Sequence, residues 1–219
     1  MKKGGMSGER WLSAVIASIL VLALCIPARA QEEELEHIRG QIVSINGSVM
    51  VVKTGDDKEV PLDLPDQFTV ISLTRGSYTK VDFGIYVGAV AVKLDEYSPI
   101  VRDSLSWLHR GFELRLIDEQ LRGIALGQKK WDLTPDSIIA HGWVDDIEGR
   151  VISIKYGPTE IEETDVEVPR GAPVHIMSLG DKSMVTTGKR IFAGCQKGEN
   201  GKLAVSFIFV GQGDNVPAL

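Results

Sequence analysis

Apolar and polar residues alternate with a period of two along much of the chain from residue 38 onward, the pattern of half-buried strands. Ile42-Val43-Ser44-Ile45 and Val49-Met50-Val51-Val52 flank Asn46-Gly47, a pair that predicts a tight hairpin with both turn residues at positive φ. Gly55 to Lys58 forms a polar turn before a third strand from Glu59 to Leu64, which Pro65 ends because proline cannot donate to a ladder. Further strands are expected from Phe68 to Leu73 and from Tyr86 to Lys93. Thr74 to Gly84, between them, is too short and polar for a long helix.

The pattern repeats. An offset of 102 places Gly40 on Gly142, Ile45 on Ile147, Gly47 on Gly149, Val49 on Val151, Lys53 on Lys155 and Gly55 on Gly157. The match resumes at 104 with Leu64-Pro65 on Val168-Pro169 and Val70 on Val174. At 106, Ser72-Leu73 meets Ser178-Leu179 and Ser77 meets Ser183, and Gly84 with Gly188 closes the alignment. Drifting offsets are what changes in loop length produce, so the expectation is an internal duplication. In the second copy Glu148-Gly149 takes the turn, which asks Glu148 to adopt the conformation of Asn46.

The expected fold is mainly β: two tandem small OB-like or SH3-like barrels, at 38–94 and 141–210, with a mixed connector at 95–140. Barrels remove exposed strand edges; a two-sheet sandwich is the competing architecture. In the connector, Ser98-Pro99 to His109 predicts a short helix, with Leu105, Leu108 and Phe112 at helical spacing. Phe112 to Ile117 reads as a strand with Phe112, Leu114 and Leu116 on one face and Glu113 and Arg115 on the other. The tail at 211–219 is rich in Gly, Asn and Pro and is expected to be flexible.

The N-terminus changes the composition. Lys2, Lys3 and Arg10 precede an uncharged run from Trp11 to Ile26, and Ala28-Arg29-Ala30 supplies small residues before Gln31. This is the form of a signal peptide at 1–30, cleaved after Ala30, and it implies a periplasmic or secreted protein. The alternative is an uncleaved inner-membrane anchor, for which the run is short. Cleavage removes Lys2, Lys3, Arg10, Arg29 and Glu9 and moves the formal charge from -6 to -9. So acidic a chain is a poor partner for nucleic acid or for an anionic membrane surface. Cys195 is then the one remaining cysteine, which excludes an internal disulfide. No segment beyond the N-terminus is long and apolar enough to span a membrane as a helix.

The opening Arg39-Gly40-Gln41-Ile42-Val43-Ser44-Ile45-Asn46-Gly47, with Val52-Lys53-Thr54-Gly55, resembles bacterial exported proteins carrying the DUF5666-type domain of unknown function. Leu121-Arg122-Gly123 followed by Trp131-Asp132-Leu133 and Ser137 is similar to a two-copy subgroup of such proteins. That subgroup often carries a metal ABC transporter permease label, which a chain without membrane spans does not fit. The resemblance covers most of 38–210 and implies a small β-barrel and export, with no catalytic residues to carry over. Tyr97 to Arg110 departs from the pattern as an insertion.

Chemistry is sparse. His37, His109, His141 and His175 lack the spacing that aims two imidazoles at one ion. A metal site, if built from distant residues, draws on His141, Asp145, Asp146, His175 and Cys195; no other cofactor is indicated. By the repeat alignment His141 takes the place of Arg39, a surface position at a strand start. Paired acids at Asp56-Asp57, Asp145-Asp146 and Glu162-Glu163 fall at expected turns, and no nucleophile motif or nucleotide-binding fingerprint is present. The segment Trp131 to Ser137 is the best ligand-binding candidate, with Arg122, Trp131, Asp132 and His141 as its residues. The bland reading is that Trp131 plugs the contact between domains, with Arg122 or Asp132 pairing locally. The function expected is a non-enzymatic interaction module of the cell envelope, binding an envelope protein or small ligand. The alternative is a periplasmic metal-binding protein.

Overall fold

The computed structural model describes residues 35–94, 108–159, 162–198 and 201–213 of the 219-residue chain. The alternating segments before the connector become β1 (Glu36–Asn46), β2 (Val49–Thr54), β3 (Glu59–Asp63), β4 (Thr69–Arg75) and β5 (Tyr86–Lys93). The connector supplies β6 (His109–Ile117) and β7 (Gly127–Lys130). The remainder supplies β8 (Ser137–Glu148), β9 (Val151–Lys155), β10 (Glu163–Glu167), β11 (Val174–Leu179), β12 (Arg190–Lys197) and β13 (Leu203–Gly211). Helical structure among the described residues is limited to single 3-10 turns such as Tyr78–Lys80, Glu119–Leu121 and Lys182–Met184, so the fold is mainly β. The helix expected from Ser98 falls largely on residues 95–107, outside the described residues, and His109 already begins β6. The 1–30 segment and residues 214–219 of the tail also lie outside them.

The hairpins differ from expectation at their turns. Asn46 pairs with Val49 and Glu148 with Val151, so the two-residue loops are Gly47-Ser48 and Gly149-Arg150. Gly47 and Gly149 have φ of 59° and 62°, while Asn46, Ser48, Glu148 and Arg150 stay at negative φ. One positive φ at the first loop position is the type II′ form, which needs glycine there and nothing special of its neighbours. Glu148 therefore carries no strain.

Each copy was expected to close its own barrel, and the pairings correct this. β3, β2, β1, β12 and β13 pair in succession and β13 returns to β3. β10, β9, β8, β5 and β6 do the same, with β6 returning to β10. Each closed five-stranded ring thus takes three strands consecutive in the chain and completes itself with a pair from elsewhere in it. β4 and β11 pair antiparallel with each other and join the two rings through β13 and β6. From Leu35 onward the chain is a single contact unit rather than two repeat domains. The reason lies in β5 and β12, whose residues are buried from Tyr86 to Ala91 and from Ile191 to Cys195. A continuous apolar run needs cover on both faces and partners on both edges. Exchange between the halves supplies both.

The local geometry recurs in the two halves. β1 and β8 bulge at Val43 and Asp145, and a β-carbon on Gly40 or Gly142 would lie 2.2 or 2.3 Å from the carbonyl oxygen of Lys53 or Lys155. The amide of Gly76 donates to Val174 and that of Gly180 to Val70, and the 3-10 turns at Tyr78 and Lys182 follow. These matches hold an offset of 104 through this region, so the step to 106 read from Ser72, Leu73 and Ser77 is not followed.

Three apolar clusters result. One fills the first ring around Ile42, Met50, Leu62, Cys195 and Ile208; another fills the second around Val87, Leu114, Val144, Ile154 and Val166. The third, with Ile71, Tyr86, Met177, Phe192 and Phe209, draws on strands of both rings and on Leu121 and Trp131 of the connector.

Candidate functional site

Residues opposite one another on neighbouring strands share a face. One row of the sheet runs from His141 on β8 to Gly88 on β5, Arg115 on β6, His175 on β11 and Arg75 on β4. The corresponding row in the other half runs from Arg39 on β1 to Phe192 on β12, Phe209 on β13 and Ile71 on β4. The first row is polar and the second aromatic. The Arg115 guanidinium joins them by lying 5.2 Å from the centre of the Phe209 ring.

At the polar end, Arg115 Nε and Nη2 donate to Glu113 at 2.8 and 3.2 Å, and His175 Nδ1 lies 3.0 Å from the same carboxylate. Glu113, Arg115 and His175 are 1, 3 and 5% exposed. Burial by itself would raise the Glu113 carboxyl, but the charge of Arg115 and the hydrogen bonds from His175 and Arg115 hold it down at about 2. A buried ion pair of this kind needs each member to satisfy the other. Glu113 and Arg115 do share the face of β6 expected from alternation, and that face is buried. β6 also carries an extra residue: Val90 pairs with Glu113 and Ala91 with Gly111, which leaves Phe112 as a bulge, exposed rather than on the face of Leu114 and Leu116.

The His141 ring packs against Gly88, where an added β-carbon would be 2.6 Å from it. Burial, with the charges of Arg115 and Lys129, lowers its pKa to about 3, and its Nδ1 has no hydrogen-bond partner. Neither His141 nor its counterpart Arg39 is the open surface position expected.

At the aromatic end the connector meets β1. Asp132 accepts two hydrogen bonds from Arg39, at 2.7 and 2.5 Å, and one contact of 3.0 Å from His37 Nδ1. Half-burial would raise the Asp132 carboxyl, but Arg39 and His37 hold it at about 2. The Arg39 guanidinium sits 4.7 Å from the Phe192 ring centre and 5.8 Å from that of Trp131, and the His37 ring lies 4.9 Å from Trp131. Ser137 orders the loop by donating to the carbonyls of Trp131 and Thr134 while accepting from the Thr134 amide. Trp131 Nε1 and Arg39 Nε are buried donors without an acceptor.

Of the four ligand-binding candidates, Trp131 and Asp132 come together, and they do so with His37, Arg39 and Phe192. Asp132 pairs across the chain, not locally. Arg122 is elsewhere, 3.0 Å from Glu119 and with Nη2 3.5 Å from the Gly84 carbonyl, and His141 belongs to the polar row. The metal candidates do not converge. Asp145 and Asp146 are exposed in β8, not at a turn, and Asp145 faces Lys155 at 3.4 Å, whereas His141 is buried. His175 is committed to Glu113, and Cys195 lies inside the first ring, where burial and then the charge of Glu36 push its thiol up to about 12. No group of three His, Cys, Asp or Glu residues suited to a metal occurs among the described residues. An open groove of about 410 Å³, walled by Phe68, Val70, Leu179 and Lys182, contains none of these site residues.

Glu113, Arg115 and Phe192 were missed from sequence. The available signal was the spacing of two opposite charges at i and i+2 within an otherwise apolar strand, which places them on one face of β6. No family model, curated protein or solved structure matches the chain.

Proposed function

We propose that the chain is an exported, non-enzymatic interaction module of the bacterial cell envelope. Its ligand face is the junction where Trp131 and Asp132 meet His37, Arg39 and Phe192. The observation that carries this reading is the pair of buried donors, Trp131 Nε1 and Arg39 Nε, held among aromatic rings with no acceptor. Unpaired buried donors are costly, and a ligand oxygen relieves that cost. The non-enzymatic reading is supported by the pairing of two carboxylates that are wholly or half buried: Glu113 and Asp132 are each committed to an arginine and a histidine. Export rests on the N-terminal segment and on the DUF5666-type resemblance. The matched bulges, close-approach glycines and 3-10 turns support an internal duplication, with OB-like rings completed by exchange between its copies.

The test is a thermal-shift screen of the chain from Gln31 onward against small carboxylates and acceptor-rich peptides. Compounds that raise Tm for the native sequence and lose the effect in Trp131→Phe support the reading. A screen in which no compound acts, or in which Trp131→Phe responds equally, removes it.

A further inference from the structure

The two halves differ at one place where their geometry predicts likeness. In the second ring β7 lies antiparallel along the start of β8, with Gly127 opposite His141, Gln128 opposite Ala140 and Lys130 opposite Ile138. Gln128 Oε1 accepts a hydrogen bond from Thr164 Oγ1 at 2.5 Å and lies 3.5 Å from the Tyr156 hydroxyl. Thr164, beneath this strand, is 3% exposed.

The matching stretch of β1 is Glu36–Arg39. It pairs with β12 along one edge, and β2 takes up the other only from Gly40. Among the described residues no strand lies beside Glu36–Arg39 on that second edge. The positions corresponding to Thr164 and Tyr156 are Val60, which pairs with Val52 as Thr164 does with Ile154, and Thr54. Val60 is only half-buried. The polar groups that receive Gln128 in one ring are thus replaced by an apolar side chain and a small hydroxyl in the other.

The chain from Gln31 onward cannot supply the missing strand by the same route. One offset of 102 before β7 falls on Cys25-Ile26-Pro27-Ala28, ahead of the expected cut after Ala30, and Pro27 lacks the amide that a ladder requires. Cleavage leaves four residues, Gln31 to Glu34, before Leu35, whereas the second half uses six, 131–136, to turn from β7 into β8.

We propose that Glu36–Arg39 is a strand-addition site for an extended segment of another polypeptide. That segment runs antiparallel to β1 and places an apolar side chain opposite Ile38, over Val60. Main-chain hydrogen bonds supply the attachment and the side chain over Val60 the selectivity. The proposal deepens the interaction-module reading and rests on its export premise.

The test uses the chain from Gln31 to Leu219 and three synthetic peptides based on residues 126–131. In the first, valine replaces Gln128 (Leu-Gly-Val-Lys-Lys-Trp); the second keeps glutamine; the third has valine there and proline in place of Lys129. The valine peptide is expected to bind and to slow exchange of edge-facing amides in Glu36–Arg39 by on the order of tenfold. The glutamine peptide is expected to bind roughly fivefold more weakly, since its amide loses water without gaining a partner. The proline peptide is expected not to bind. Thr54→Tyr with Val60→Thr is expected to reverse the preference toward glutamine; this variant alters side chains at the mouth of the ring and leaves β1 intact. Unchanged exchange with every peptide overturns the proposal. So does protection of these amides in the free monomer, which assigns the edge to the chain's own residues, or protection that appears only with dimerisation. Intact mass of the protein expressed from the full 219-residue sequence in a bacterium separates the premise: retention of residues 1–30 removes the cleavage on which the free edge rests, whatever the peptides do.

Discussion

Asp132 grips Arg39 through both carboxylate oxygens, at 2.5 and 2.7 Å, across 93 residues of sequence. This pair fastens the connector loop to the first strand and holds Trp131 beside Phe192. A two-point contact is stronger than a simple surface ion pair, but the Asp132 side chain is 43% exposed and solvent weakens it. Asp132→Asn is expected to cost about 1 kcal/mol. Trp131 should become more solvent-exposed, read as a red shift of tryptophan emission. A double-mutant cycle with Arg39→Met should show coupling of similar size, and strict additivity would refute the pairing.

Glu113 and Arg115 are a different case because water does not reach them. Arg115→Met leaves a buried carboxylate without its main partner and is expected to cost about 3–5 kcal/mol in chemical denaturation. Joining it to Glu113→Leu should recover much of that loss, since removing both charges also removes the cost of burying them. A double variant no more stable than Arg115→Met contradicts this account.

Acid should destabilise the fold in two stages. His141 has a folded pKa of about 3 against 6.5 when free, so the unfolded chain takes up a proton first and stability falls as pH drops below about 6.5. Glu113 and Asp132 are held at about 2 against 4.5 and 3.8, so their contribution is present above those free values and is lost as pH falls through them toward 2. One proton corresponds to a slope of about 1.4 kcal/mol per pH unit. His141→Phe should flatten stability between pH 6.5 and 4.5 while leaving the steeper loss below it. An unchanged upper limb would show that His141 is not the group responsible.

Glycine substitutions should separate rigid from yielding neighbours. At Gly40 an added β-carbon meets the Lys53 carbonyl at 2.2 Å, a backbone atom fixed by the β1–β2 ladder. At Gly88 it meets the His141 ring at 2.6 Å. Both alanine variants are expected to lose about 1–3 kcal/mol, the range for overpacking. Removing the ring with His141→Ala should rescue Gly88→Ala, whereas no side-chain change at Lys53 should rescue Gly40→Ala. Equal rescue at both sites would refute the distinction.

Cys195 lies fully inside the first ring with its thiol raised to about 12. The thiolate is the reactive form, so labelling by a disulfide reagent at neutral pH should be slow and should follow opening of that ring. Rapid labelling of the native protein would place Cys195 outside the core.

Period-two alternation located strands on both sides of the connector because the pleat sends successive side chains to opposite faces, and glycine marked the hairpins because their first loop residue has positive φ. Trp131 and Asp132 were legible as a candidate site since an aromatic among turn residues stands out in a β-rich chain. Their partners were not. His37 and Arg39 lie 95 and 93 residues away, and nothing local distinguishes them from other polar positions at a strand start. The burial of Glu113 and Arg115 was not legible either, because alternation reports which residues share a face, without saying what covers it.

The sequence by itself determined the strand-rich architecture, the recurrence of pattern at an offset of 102, and the turns that punctuate it. Tertiary structure alone decided which strands complete which ring, because pairing partners depend on burying β5 and β12 on both edges and both faces. It also turned an ordinary charged face of β6 into a buried Glu113–Arg115–His175 network. Among the described residues, it gave β8 a neighbour in β7 and gave the Glu36–Arg39 edge of β1 none, a difference visible only when the two halves are compared in space.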